Sequence, residues 1–124
     1  MAGRNGGIDP KRIERARCKL GISRTEITWL LAVDPTAYDR WMRSGVCRFA
    51  LVGLVVQMLE RAIVKGMSIP YLRQLMGITV GADGIPQQRS PKERTDEQRA
   101  RAWAFIASRA YTQTELQQQP LIME

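Results

Sequence analysis

The sequence predicts an all-α protein: a helix-turn-helix domain over residues 9–64, followed by a mainly helical extension over 65–124. Three observations predict it. Residues 20–45, LGISRTEITWLLAVDPTAYDRWMRSG, read as two short helices, each with its own opening cap, separated by residues 32–34. Asp9-Pro10 sets the same cap-plus-proline start ahead of them. Residues 49–64 and 68–76 then carry apolar side chains at helical spacing.

Taken in order, residues 1–8 are glycine-rich and carry Arg4. They read as a mobile terminus or as an arm for the minor groove. A first helix runs from Asp9-Pro10 to about Lys19, with Ile13, Ala16 and Leu20 toward the core and Lys11, Arg12, Arg15 and Lys19 over the rest. The second helix opens at Ser23, with Glu26 three residues on. That is a capping box, in which each side chain takes the other residue's free N–H. Ile27, Leu30 and Leu31 give this helix its inward stripe. Asp34 caps the third helix and Pro35 fills its first position, where a missing N–H costs nothing. Tyr38 and Trp41, three apart, supply its buried side; Thr36, Asp39, Arg40 and Arg43 lie on the other. Gly45 ends it in the left-handed conformation that follows many helices.

The helix over 49–64 is apolar nearly all round. Leu51, Leu54, Val55, Met58, Leu59, Ala62 and Ile63 form one broad stripe, with Phe49, Val52 and Val56 opposite. Such a helix is buried on more than one face. One side closes the helix-turn-helix core, and the other is left for the C-terminal half or for a second subunit. Residues 68–76 form a short helix closed by Gly77, with Ile69, Leu72, Leu75 and Met76 apolar. Residues 78–89 read as a plain linker or as a β-ribbon of Ile78, Val80 and Ile85 around Asp83-Gly84, a hairpin signal. A last helix, reaching about Tyr111, starts at Ser90-Pro91 or at Thr95, with Trp103, Ile106, Ala107, Ala110 and Tyr111 on one face. Residues 112–124, glutamine-rich, read as a loosely ordered tail.

The totals narrow the function. Lys and Arg number 19 against 12 acidic residues, a net charge of +7 without any histidine. The excess is uneven. Residues 1–48 hold ten basic and five acidic side chains, residues 49–89 four and two, and residues 90–124 five of each. The positive charge is therefore concentrated on the helix-turn-helix half, which favours a polyanionic partner and salt-sensitive association. Cys18 and Cys47 lack metal-ligand spacing, and no histidine completes a zinc site, so no metal or cofactor is expected. Cys47, just past the third helix, reads as an idle thiol rather than a redox switch. The apolar run over 49–56 is far short of the ~20 residues a membrane span needs, and the chain reads as cytoplasmic. With no histidine and no glycine-rich phosphate loop, an enzyme is not expected.

The pattern over residues 22–41 resembles the DNA-binding domain of the phage-repressor-like (Xre or lambda/Cro-like) regulators. A looser likeness extends over about 9–64, roughly half the chain. The shared features are a polar residue opening the second helix, apolar Ile27, Leu30, Leu31 and Val33, and a Trp ending the recognition helix. Three positions depart: Ala32 where the family usually has glycine, Thr28 where it has alanine, and Ser44, an added residue before Gly45.

The resemblance implies a lambda-repressor-like domain whose third helix enters the major groove of double-stranded DNA. Pro35, Thr36 and Arg40 match the base-reading positions. Thr36 suits a base edge or a thymine methyl, and Arg40 suits guanine O6 and N7. Asp39 either accepts from cytosine or, as preferred here, orients Arg40. Arg24 matches a phosphate-contacting position, with Arg43 and Arg48 as further phosphate partners. Tyr38 and Trp41 are expected in the core rather than as base-stacking residues. The family binds palindromic sites as two-fold dimers, which implies a homodimer, with the helix over 68–76 or the one bearing Trp103 as contact. The expected function is a sequence-specific transcriptional regulator, a repressor acting by operator occlusion. Two others compete: an antitoxin-like interaction module with autoregulatory DNA binding, and a site-recognition subunit of a packaging or replication machine.

Overall fold

Five of the six described helices open on a side-chain oxygen that takes an N–H the helix leaves unbonded. The computed structural model describes residues 7–80, 86–87 and 95–111, with backbone alone for 79, 80, 86 and 87. Helix α1 (Pro10–Leu20) is capped by Asp9, which accepts from the Lys11 amide at 3.0 Å. Helix α2 (Arg24–Leu31) carries the full capping box. Glu26 N–H donates to Ser23 Oγ at 3.2 Å, and Ser23 N–H to Glu26 Oε1 at 2.6 Å. Asp34 caps α3 (Pro35–Ser44), accepting from the Thr36 amide at 2.8 Å. Ser68 caps α5 (Ile69–Leu75) and Thr95 caps α6 (Asp96–Ala110). Substituting a cap such as Ser23 or Thr95 by alanine costs about 0.5–2 kcal/mol. The exception is α4 (Ala50–Val64), whose cap residue Phe49 offers no side-chain acceptor and instead meets Trp41 edge to face, ring centroids 5.3 Å apart.

The chain ends its helices where the sequence indicates. Gly21 and Gly45 both sit in the left-handed region, at φ 66° and 81°. Gly21 has a second reason to lack a side chain: a Cβ there would come within 2.7 Å of the Arg73 guanidinium. That guanidinium donates from Nε to Leu20 O at 2.7 Å, so α5 closes the end of α1.

One cluster of buried side chains runs from Ile13 to Ala110, and no break between cores falls at 64/65 among the described residues. Helix α6 lies chiefly along α4 and also touches α5 and α2. It thus covers the face of α4 that the sequence leaves open between a second subunit and the C-terminal half. The faces of α4 differ from the expected division. Val52, Val55, Val56, Leu59 and Ala62 are buried together, while Leu51 and Leu54 are 51% and 57% exposed. Val52 and Val56, read on the side opposite the stripe, are buried with Val55, Leu59 and Ala62, while Leu51 and Leu54 of that stripe are not. On a helix apolar all round, periodicity cannot choose the buried face; the neighbours choose it. On α6, Ile106 and Ala110 are buried as expected, Ala102 joins them, and Trp103 and Tyr111 are half-buried.

Between α5 and α6 the chain forms a minimal ribbon, β1 (Thr79–Val80) antiparallel to β2 (Pro86–Gln87), with Thr79 opposite Gln87. The hairpin alternative therefore holds for the described pair; Ile85 and the turn lie outside the described residues. So do residues 1–6, the tail over 112–124 and the Ser90 start; α6 begins at Asp96, after its cap Thr95. Ile8, expected in a mobile terminus, instead exchanges two backbone hydrogen bonds with Cys47 at 2.8 and 3.1 Å. No described helix is long and apolar enough to cross a membrane.

Several arginines hold this frame. Arg12 grips Glu60 in a bidentate pair between α1 and α4, at 3.0 and 2.6 Å. Arg17 pairs with Glu14 and donates to Ile22 O, and Arg61 donates to Ala110 O at 2.7 Å.

Candidate nucleic-acid interface

Helix α3 has two sides of opposite character because Tyr38 and Trp41 pin one of them inward. They are 1% and 7% exposed, whereas Pro35, Thr36, Asp39, Arg40 and Arg43 are all exposed. Two large rings beneath a ten-residue helix hold it by burial alone, at roughly 1.5–3 kcal/mol for a large apolar side chain. The outward side is then free for solvent or a ligand. Arg24 at the start of α2 and Arg48 beyond α3 are exposed as well. Every residue expected to read bases or touch phosphates is thus on the surface.

The turn between α2 and α3 has the expected three residues, and Ala32 adopts φ 61°, the left-handed conformation that glycine takes without cost. Its Cβ imposes about 1 kcal/mol of strain. Thr28, where the resemblance has alanine, fits by donating its hydroxyl back to Arg24 O and Thr25 O at 2.9 and 3.0 Å.

Asp39 has its ion pair outside α3. Its nearest cation is Arg24, with Nη1 3.6 Å from Oδ1, and not Arg40. From the exposed side of α3 Asp39 faces Arg24 at the start of α2, whose guanidinium lies over Tyr38, 5.6 Å from the ring centroid. Both carboxylate and guanidinium are more than half exposed, so the pair contributes little stability. Arg40 lies instead within the field of Asp34.

The Arg40 charge is felt in turn at Asp34. Its carboxyl is held below the usual carboxylate range by the Thr36 amide first, then the Thr36 hydroxyl, with Arg40 adding to it. A folded-state pKa below the unfolded one stabilises the fold above the unfolded value and loses that stabilisation as pH falls through the folded value. Acidification from about pH 5 to 2 should therefore cost the wild type more stability than Asp34→Asn, which keeps an acceptor oxygen but cannot titrate. Equal acid slopes in melts of the two proteins would remove Asp34 from the acid response.

Tyr38 carries a discrepancy of its own. Its hydroxyl is buried and finds no hydrogen-bond partner among the described residues. A buried donor left unpaired costs roughly 1–3 kcal/mol. Tyr38→Phe should then leave stability unchanged or raise it by up to about 1 kcal/mol, as read by a thermal melt; a lowered melting temperature would show that the hydroxyl has a partner.

Cys47 is buried, and burial pushes its thiol above the ordinary cysteine value, partly offset by a backbone hydrogen bond from Phe49. A protonated, enclosed thiol is a poor nucleophile, in line with an idle thiol. No three His, Cys, Asp or Glu side chains gather as metal ligands among the described residues.

Two contacts to this region carry no sequence signal. Arg99 and Trp103 of α6 donate to Trp29 O and Leu30 O, at the end of α2. They stand 70 and 73 residues from their partners, so no local spacing announces them. Comparison with protein-family models, with curated proteins and with solved structures gave no match. The case for an interface rests on this geometry.

Proposed function

We propose that the protein is a sequence-specific binder of double-stranded DNA and regulates transcription, as a homodimeric repressor that occludes its operator. The observation that carries this reading is the outward side of α3: Thr36, Asp39, Arg40 and Arg43 exposed in a row, over a base of buried Tyr38 and Trp41. A ten-residue helix is about 15 Å long and fits a major groove about 12 Å wide. Pro35 and Thr36, at its N-terminus, meet base edges. Arg40, one turn further, has the reach for a bidentate pair with guanine. Arg24, Arg43 and Arg48 neutralise flanking phosphates, and Asp39 keeps Arg24 in place when DNA is absent. Phe49, Leu51 and Leu54, at the start of α4 and all more than half exposed, offer apolar surface to a second protomer.

Selection of bound sequences from a random pool of duplex DNA tests the reading. A two-fold symmetric consensus is expected. Arg40→Ala should then lose roughly 5- to 150-fold of discrimination at one guanine per half-site, the equivalent of about 1–3 kcal/mol. Failure to enrich any sequence would sink the proposal. A reporter gene placed behind the selected site separates repression from mere site recognition: expression falls in the first case and is unchanged in the second.

A further inference from the structure

The last carbonyls of a helix have no partner within it. In α2 those carbonyls lie beside the turn that aims α3, and only some are satisfied locally. Ala32 N–H returns to Trp29 O at 3.1 Å, and Val33 N–H to Thr28 O at 3.0 Å. Two further donors come from α6. Arg99 Nε donates to Trp29 O at 2.6 Å, and Trp103 Nε1 donates to Leu30 O at 2.7 Å. The two residues are four apart, so one face of α6 presents both donors to the end of α2.

Arg99 is held in place on three sides. Its guanidinium lies over the Trp29 ring, 5.1 Å from the centroid, and Nη1 donates to Asp96 Oδ1 at 3.0 Å. Its side chain is only 20% exposed. A fork fixed in this way transmits the position of α6 to the turn. The turn itself is in an unfavoured state, because Ala32 holds φ 61° with a Cβ. Backbone in that region persists where surrounding bonds over-determine it.

We propose that Arg99 and Trp103 are positioning residues for DNA reading, bracing the turn so that α6 sets the angle at which α3 meets the groove. The proposal rests on the DNA reading of α3. Neither residue is on the outward side of that helix, so each acts through Trp29 O and Leu30 O. Bidentate pairing of Arg40 with a base needs hydrogen-bond distances near 2.9 Å, and a shift of α3 by an ångström removes it.

Trp103→Phe keeps an aromatic ring and deletes the N–H; Arg99→Lys keeps the charge and deletes the planar fork. Amide hydrogen exchange on the full chain provides a readout that does not involve DNA. In both variants, exchange at Ala32, Val33, Thr36 and Ala37 is expected to quicken at least tenfold, while α1 and the middle of α4 keep their protection. Affinity for the selected site falls tenfold or more, and affinity for random-sequence DNA is unchanged. Unaltered protection over 32–37 overturns the brace, as does equal quickening in every helix, which marks ordinary core loss. A local rise in exchange with undiminished site preference overturns the positioning role. If the wild-type chain selects no sequence at all, the DNA reading fails, and the exchange pattern still decides whether α6 fixes the turn.

Discussion

Raising salt from 50 to 200 mM should weaken binding to the selected site by about 10³–10⁵. The figure follows from which cations are free to meet phosphates. The net charge of +7 is a poor guide, because Arg12, Arg17, Arg61, Arg73 and Arg99 are bonded to carboxylates or backbone carbonyls of the frame. Arg43 and Arg48 are exposed beside α3, and Arg24 exchanges its exposed pair with Asp39 for a phosphate, giving about six phosphate contacts for a two-fold pair and a loss near 10³; further cations at the rim move it toward 10⁵. Arg43→Ala should lower the slope of log affinity against log salt by roughly one per protomer while leaving sequence preference intact. Filter binding or anisotropy across that salt range measures both. A nearly flat response would leave the outward arginines of α3 without the role given to them.

The helix boundaries were legible because caps are local. Ser23 and Glu26, and Asp34 and Thr36, bond within three residues, so the chain states these starts without reference to the rest of the fold; Thr95 and Gln98 bond in the same way, but Ser90-Pro91 carries an equal signal, and the sequence leaves that start open. Gly45 and the three-residue turn follow from the same short-range chemistry. The faces of α4 were not legible. Its apolar residues surround the axis, and burial of Val52 and Val56 in place of Leu51 and Leu54 depends on where α6 lies. Exposed leucines on a surface helix are ordinary, but three large apolar residues clustered at one helix start are less so.

The candidate interface divides along the same line. That Tyr38 and Trp41 turn inward, and Thr36, Arg40 and Arg43 outward, follows from a spacing of three on one short helix. The partner of Asp39 does not follow from any spacing within α3, because Arg24 belongs to the helix before it. An arginine that touches DNA and one that closes a helix end are also identical in sequence. Arg99 and Arg73 look like solvated charges until their carbonyl partners, Trp29 O and Leu20 O, are seen.

Those long-range bonds lead to the second large effect. A chain ending after residue 87, which lacks α6, should not fold: its far-ultraviolet signal falls by more than the missing fifteen-residue helix accounts for, and its sharp urea transition disappears. Removing α6 uncovers the face of α4 it lies along, takes Ala102, Ile106 and Ala110 out of the core, and leaves Trp29 O, Leu30 O and Leu75 O without their side-chain donors. Ile106→Ala alone should cost about 2–5 kcal/mol, since the side chain is fully buried. A domain of this size has about 5–15 kcal/mol in total, so loss of the whole helix exceeds what the remainder can bear. The graded pair separates two pictures of the chain. If α6 is an appendage, Ile106→Ala is mild and the shortened chain keeps a cooperative transition. If it is part of the core that supports α2 and α3, the point variant melts far lower and the shortened chain has no transition to measure. The second outcome is expected, because α4 and the end of α2 both depend on the same helix.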